Sequence, residues 1–441
     1  MKIQVFIIAI CILSLSGCST DDGGQHTISE DFNAEIDWLK TFGGSGEDTA
    51  QDIISTSDGG FAVLGYTNST DGDITDKNLN VNDYWLLKFD KQGNLQWNKT
   101  YGGSKDDKGQ SIIQTNDGGY AIAGYSMSSD GDASVNQGFH DNWILKVNAD
   151  GEILWETSFG YSGHDHAYDI LQTSNGGYFV AGFLDVTGSG GEGNTGRSSF
   201  TAHGVGEFWG SLLNASGEIV WQRYFGGTNN DRAHAVVQAN DGGFVLAGFT
   251  ESDDFDISQT NGSYDFWVLK INLEGEPVWE RTFGGSGIDR ANDIVKTSDN
   301  GYLIVGGSNS TDGMISRNHG NSDVWIIKIN DAGKLEWERS YGGTDFDDAT
   351  HISKTSDEGF IITGNSKSTN IDVVMNQGEN DIWAFKIDAS GKLLWQKSMG
   401  KEGLDLGFGA LENPEDKSVI ICGELSDTDS GEKNAVIIRL K

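Results

Sequence analysis

Apolar and polar positions alternate along this chain in short bursts, and the bursts recur. Between Gln110 and Phe159, the β-branched run Ser111–Thr115 (strand A) ends at the turn Asn116-Asp117-Gly118-Gly119. Tyr120–Tyr125 (strand B) then alternates large and small side chains at period two. A long polar loop through Asp130-Gly131-Asp132 leads to Asn142–Val147 (strand C). The turn Asn148-Ala149-Asp150-Gly151 places Asp-Gly where a hairpin needs it, and Glu152–Phe159 (strand D) closes the unit. No helical period follows the first residues, so the pattern predicts an all-β chain.

The unit repeats. Trp38, Trp97, Trp155, Trp221, Trp279, Trp337 and Trp395 stand at spacings of 59, 58, 66, 58, 58 and 58 residues. After each comes an aromatic residue or Met399, usually then Gly-Gly, and an aspartate five residues past the first glycine: Asp48, Asp107, Asp165, Asp231, Asp289, Asp347 and Asp405. A fixed period of this length marks units that bury apolar surface only by stacking on neighbours. Four antiparallel strands repeated radially describe a β-propeller blade.

The ends of the pattern refine this. Ile36–Phe42 reads as a D strand with no A, B or C before it, whereas the last unit supplies A, B and C (Phe408–Leu411, Ser418–Gly423, Ala435–Leu440) and no D. A seven-bladed propeller over residues 36–441 is expected, its ring closed by the N-terminal strand joining the C-terminal blade. Closure removes the open edges that a linear array would leave.

The repeat resembles the SBBP-type β-propeller repeats of bacterial secreted proteins, matching through Asp289, Gly301, Gly306, Lys328 and Gly333 in one unit. That resemblance implies a propeller and no shared catalytic chemistry. The Gly-x-x-x-Trp step (Gly151 to Trp155, Gly217 to Trp221) is similar to the tryptophan-docked blades of quinoprotein dehydrogenases, although their eight blades and cofactor site have no counterpart here. Thr56 with Asp58-Gly59-Gly60, and Thr115 with Asp117-Gly118-Gly119, resemble in part the Asp-box of sialidases, a structural turn.

Ahead of the repeat, Lys2 and the apolar run Ile3–Leu15 precede Leu15-Ser16-Gly17-Cys18. Residues 1–17 read as a signal peptide too short to span a membrane. The ending resembles the bacterial lipobox, which implies lipidation of Cys18 and an outer-membrane lipoprotein facing the periplasm or the cell surface. Residues 18–35 read as a flexible tether. Its acidic start (Asp21, Asp22) resembles the surface-export signal of Bacteroidota-like lipoproteins. With Cys11 in the leader, Cys422 stands alone in an apolar run and no intramolecular disulfide is expected.

A net charge of −36 opposes nucleic acid and anionic head groups. Membrane contact is therefore expected through the lipid anchor alone, and the propeller is expected to be a monomer. The seven aspartates are expected to accept backbone N–H bonds and fix their crossovers. Arg232 and Arg290 hold equivalent positions in adjacent units, with local ion pairs to Asp231 and Asp289 the expected role. The lysines that end strand C (Lys88, Lys146, Lys270, Lys328, Lys386) should pack their stems between blades with the charge paired or at the surface.

Blade 3 departs most from the repeat. Gly-Gly becomes Gly160-Tyr161, its B–C loop (Asp185–Gly206) is enlarged, and His164, His166 and His203 gather there, with His234 in blade 4. His164 and His166 with Asp165 could ligate a metal. These residues, with Arg232 and Arg290, form the candidate ligand site. Asp71, Asp73 and Asp76 have an oxygen density suited to weakly held Ca²⁺, and no other cofactor is expected. No nucleophile–base pair or phosphate loop is visible. The function read from the sequence is a surface-tethered, non-enzymatic propeller that binds a glycan, peptide or partner protein. The alternatives are an extracellular carbohydrate-active lyase or hydrolase with its site at blades 3 and 4, and a scaffold in outer-membrane assembly.

Overall fold

A computed structural model of the chain describes residues 32–197, 203–427 and 431–441. The leader, Cys18 and residues 19–31 of the tether lie outside them. From Ile36 onward the chain forms seven four-stranded antiparallel sheets, each in the order A-B-C-D. In blade 2 these are Asp107–Gln114, Tyr120–Ser126, Asp141–Val147 and Ile153–Phe159. Strand A begins earlier than its apolar run suggests, because the crossover aspartate is its first residue. A bulge between Gly109 and Ser111 lets the strand continue past it.

The ring closes as the ends of the pattern imply. In blade 7 the order is Ile36–Phe42, Lys433–Leu440, Val419–Ser426 and Leu406–Glu412. Phe42 stands opposite Ala435 and Ile36 opposite Leu440, and the Glu35 and Lys441 backbones bond reciprocally at 3.0 and 2.9 Å.

The core lies between blades. Strand C is buried almost throughout, and Trp85, Trp143, Trp267, Trp325 and Trp383 are fully enclosed. One cluster joins Leu64, Tyr84 and Leu86 of blade 1 to Ile112, Ile122 and Trp143 of blade 2. The strand D tryptophans do a different job: Trp38, Trp97, Trp155, Trp221, Trp279 and Trp337 each pack on the C–D turn of the next blade. A Cβ on Gly275 would sit 3.0 Å from the Trp221 ring, and Trp221 Nε1 donates to Leu273 O at 3.0 Å. Gly275 has φ +76°, so both the conformation and the contact require glycine.

The opposite turns use charge. Lys146 is buried with its Nζ 3.0 Å from Asp117 in the A–B turn, and Lys88 repeats this with Asp58 at 2.8 Å. Cys422 is buried and reduced. The fold is all-β as expected, with one turn of helix (Val186–Ser189) in the enlarged loop of blade 3, where the Asp185 side chain accepts from Gly188 N.

Candidate functional site

The A strands of successive blades contact one another around the ring, so their side chains line the central channel. The channel mouth is built from the crossover aspartates outward. All seven are buried, and each accepts the N–H four residues before it at 2.5–2.9 Å. Asp107 also accepts from the hydroxyls of Ser126 and Ser128, and Asp231 from Thr250 and Ser252. Asp165 accepts from Tyr161 N at 2.6 Å and Asp185 N at 3.0 Å, so its oxygens face the loop backbone rather than the neighbouring imidazoles.

Beside every one of these aspartates but Asp107 the chain bridges to the preceding blade. The residue before strand C pairs in parallel with the residue before the aspartate: His140 with His164, Gly206 with Asn230, Tyr264 with Ile288, Ser322 with Phe346, Asn380 with Leu404 and Lys433 with Glu47. The residue after the aspartate then points into the mouth. At the junction of blades 2 and 3 this is His166, and three imidazoles converge. His140 Nδ1 lies 2.9 Å from His166 Nε2 and 3.0 Å from His164 Nδ1. Burial, then the neighbouring imidazoles, Arg232 and Lys108, holds His166 down to about 2; burial and His164 hold His140 down to about 4. Both rings are neutral at pH 7.

The same inward position holds Lys108, Arg232 and Arg290 in blades 2, 4 and 5, and each rests on an aromatic ring of the preceding blade. Lys108 Nζ is 4.6 Å from the Tyr66 centroid, Arg232 is 4.3 Å from Phe183, and Arg290 is 5.1 Å from Phe249 and 4.5 Å from Tyr264. His166 continues the series by stacking on Tyr125 at 3.9 Å and 16°. Among the described residues neither arginine makes the expected ion pair with its aspartate. Thr250, Ser252 and the loop amides occupy Asp231, and alternation sends Arg232 to the channel side. Arg232 Nε is buried with no hydrogen-bond partner. On the far side of the mouth the inward residues are Asp348 and Leu406, with Glu424 nearby on strand B of blade 7. Burial raises Asp348 to about 7.

Below the mouth the channel is acidic. Asp52, Asp169 and Asp293 each accept a backbone N–H from the next blade at 2.8 Å, and burial raises Asp169 and Asp293 to about 7. Asp293 nevertheless keeps 19 % of its side-chain surface open, as a channel-wall residue does.

The other residues singled out from sequence lie elsewhere. His234 sits deeper, its Nδ1 3.0 Å from Ala291 O. His203 is carried toward blade 4, against Glu207 at 3.3 Å and stacked on Phe255. Asp71 accepts from Ser45 N at 2.7 Å, Asp73 from Gly43 N at 3.0 Å and Asp76 from Thr100 N at 2.9 Å, so these three carboxylates tie loops to separate backbone donors. Among the described residues, the set of metal-ligating side chains whose donor atoms lie within 4.8 Å of one another is His140, His164 and His166. His140, Lys108, Tyr125 and Tyr168 were not singled out by sequence. Aligning the repeats on the residues flanking each aspartate would have exposed His140 as the partner of His164.

No family model matches the chain, and no curated protein matches it. Among solved structures it is similar to Sqt1 from Chaetomium thermophilum, at 12 % identity and TM-score 0.44 over 89 % of this chain and 83 % of that one. It is similar also to the WD40 domain of Pan2 from Neurospora crassa, at 9 % identity and TM-score 0.49 over 91 % and 95 %. The chain is a β-propeller, and these likenesses say nothing of its ligand.

Proposed function

We propose that this protein is a surface-tethered binding propeller whose ligand is an acidic glycan, held at the channel mouth over blades 2 to 5. The observation that carries the reading is the arc of three cations, Lys108, Arg232 and Arg290, each over an aromatic ring, in a chain whose net charge is −36. A chain so acidic concentrates cations in one place only where something anionic must be held. Guanidinium groups pair with carboxylate or sulfate. Aromatic faces, including Phe139 (55 % exposed) beside His164, suit the apolar faces of sugar rings. The lipobox-like Cys18 supports the tether, and Cys18→Ala should release the protein from the membrane fraction.

A glycan array followed by calorimetry on the full chain tests the ligand. Uronate-containing or sulfated glycans should bind, more weakly as salt rises, and Arg232→Ala with Arg290→Ala should lower affinity at least tenfold while melting stays unchanged. Binding restricted to neutral glycans, or indifferent to both arginines, would overturn the reading.

One observation favours an enzymatic variant. The Tyr168 hydroxyl lies 3.4 Å from His166 Nδ1 and bonds Arg232, which places a proton-bearing group beside a cation at blades 3 and 4. Burial raises Tyr168 although Arg232 opposes it, so it is a protonated phenol at neutral pH. A lyase acting on uronates would generate unsaturated products that absorb in the ultraviolet, and Tyr168→Phe would abolish them. Binding without such products leaves the non-enzymatic reading.

A further inference from the structure

We propose that His140, His164 and His166 form a three-imidazole site for one divalent transition-metal ion of the zinc class, at the junction of blades 2 and 3. The assignment is independent of the glycan reading.

The nitrogens converge with more lone pairs than protons can satisfy. His140 Nδ1 faces both His166 Nε2 at 2.9 Å and His164 Nδ1 at 3.0 Å. A neutral imidazole nitrogen carries either one proton or one lone pair, so a single ring atom serves two neighbours poorly. A cation between the three accepts from all of them. Zinc–nitrogen bonds of about 2.0–2.1 Å in tetrahedral geometry set ligand nitrogens about 3.3 Å apart, a few tenths of an ångström beyond these separations. Small ring movements suffice.

The backbone holds the ligands in place. Phe139 N and His140 N both donate to Gly163 O, at 2.9 and 3.2 Å, and Asp165 N donates to His140 O at 2.9 Å. Two segments far apart in sequence are thereby locked side by side, and the buried Asp165 carboxylate fixes the crossover between two of the ligands. His166 is held from behind as well. Its ring is sandwiched on Tyr125, and its Nδ1 lies 3.4 Å from the Tyr168 hydroxyl. With Nε2 turned to a metal, Nδ1 carries the proton and donates to that oxygen, the kind of partner that orients metal-bound histidines.

Symmetry separates this from ordinary packing. The corresponding triplets at the other six junctions are Asn82, Asp106 and Lys108; Gly206, Asn230 and Arg232; Tyr264, Ile288 and Arg290; Ser322, Phe346 and Asp348; Asn380, Leu404 and Leu406; and Lys433, Glu47 and Thr49. A folding requirement would recur around the ring. This arrangement occurs once.

Three imidazoles with no carboxylate select zinc, cobalt, nickel or copper over calcium and magnesium, which take oxygen ligands. Lys108 and Arg232 act against a cation held here, and Asp106 acts for it. Three protein ligands leave the remaining coordination to water or a ligand oxygen.

The full chain, without a histidine tag and stripped with a chelator, is titrated with Zn²⁺ by calorimetry and with Co²⁺ by visible absorption. One equivalent should bind, with Co²⁺ bands of nitrogen coordination. His140→Ala, His164→Ala and His166→Ala should each weaken binding at least tenfold, whereas His203→Ala and His319→Ala should not. His164 is exposed, so its variant should melt as the parent does, which separates lost ligation from lost folding. Tyr168→Phe should weaken binding by a smaller factor. No stoichiometric binding by the parent, or equal loss in His203→Ala and His164→Ala, would overturn the assignment.

Discussion

Between blades 2 and 3, and again between blades 6 and 7, the chain makes the same parallel bridge, joining His140 to His164 in one place and Asn380 to Leu404 in the other. A buried aspartate follows in both, Asp165 or Asp405, and accepts an amide from its own crossover. A second buried carboxylate, Asp141 or Asp381, begins the adjoining strand C. The inward residue is then His166 in the first junction and Leu406 in the second, so one backbone presents imidazoles while the other presents a leucine. Structure is carried by what repeats and chemistry by the residues one position to either side. In this ring the two kinds of residue are adjacent in sequence, which makes them separable by mutation.

The largest effect should come from what all the junctions share, a closed ring. Deleting Ile36–Phe42 removes the outer strand of blade 7 and exposes the edge of Lys433–Leu440. Trp38, which packs on Gly93 of blade 1, leaves with it. Cooperative thermal unfolding should be lost or its midpoint should collapse, as read by calorimetry. Melting unchanged by the deletion would show that the seventh blade closes the ring by some other pairing.

A smaller but sharper contrast lies between two neighbours. Asp107→Ala strands the Ser126 and Ser128 hydroxyls and the Gly103 amide in a buried site. With several buried donors left unsatisfied at once, it should cost about 3–5 kcal/mol. Lys108→Ala, one residue on, removes a half-buried cation from the mouth and should cost under about 1 kcal/mol. Chemical denaturation of the two variants measures both. Equal costs would erase the distinction between frame and site.

Much of this division was legible in the sequence. Period, strand order, blade count and closure follow from alternation, turn residues and the unpaired first strand, and the invariant aspartates stood out because they recur. The site was only half legible. His164 and His166 were visible as a local cluster, but His140 lies 24 residues away and reaches them only through the parallel bridge. His203 is close in sequence to blade 3 yet turns toward blade 4, where Gly204 N bonds Gly227 O and the ring stacks on Phe255. Arg232 looked like a partner for Asp231 because the two are adjacent. The strand's alternation separates them, and the hydroxyls of Thr250 and Ser252 already occupy the carboxylate. Sequence adjacency misled where pleating decided.

The smallest effect concerns the paired carboxylates behind six of the seven mouth residues, and its sign distinguishes the buried frame from the exposed turns. Burial, reinforced by the facing acid and opposed at Asp83 by the Lys77 ammonium 3.1 Å away, raises Asp83 and Asp323 to about 7, Asp265 to about 6 and Glu207 to about 11. The folded chain therefore keeps protons that the unfolded chain releases. The stability these groups contribute is complete below their unfolded values, near pH 4, and is lost as pH rises to 6 to 7 for the aspartates and on toward about 11 for Glu207. The turn aspartates act in the other direction. Burial works against them, but the lysine, threonine and glycine hydrogen bonds hold Asp58, Asp117, Asp299 and Asp357 down to about 2. Their contribution is present above about pH 4 and disappears on further acidification. Stability should thus peak near about pH 4–5 and decline toward pH 8 at constant ionic strength. Glu207→Gln sharpens the test, because the amide imitates the protonated acid and can still accept from Gly204 N. It should raise the melting temperature at pH 8 by a few degrees and leave it unchanged at pH 4, flattening the slope. A melting temperature that climbs from pH 5 to 8, or a Glu207→Gln variant that loses stability at pH 8, would mean that Glu207 is ionised against Asp231 in the folded ring.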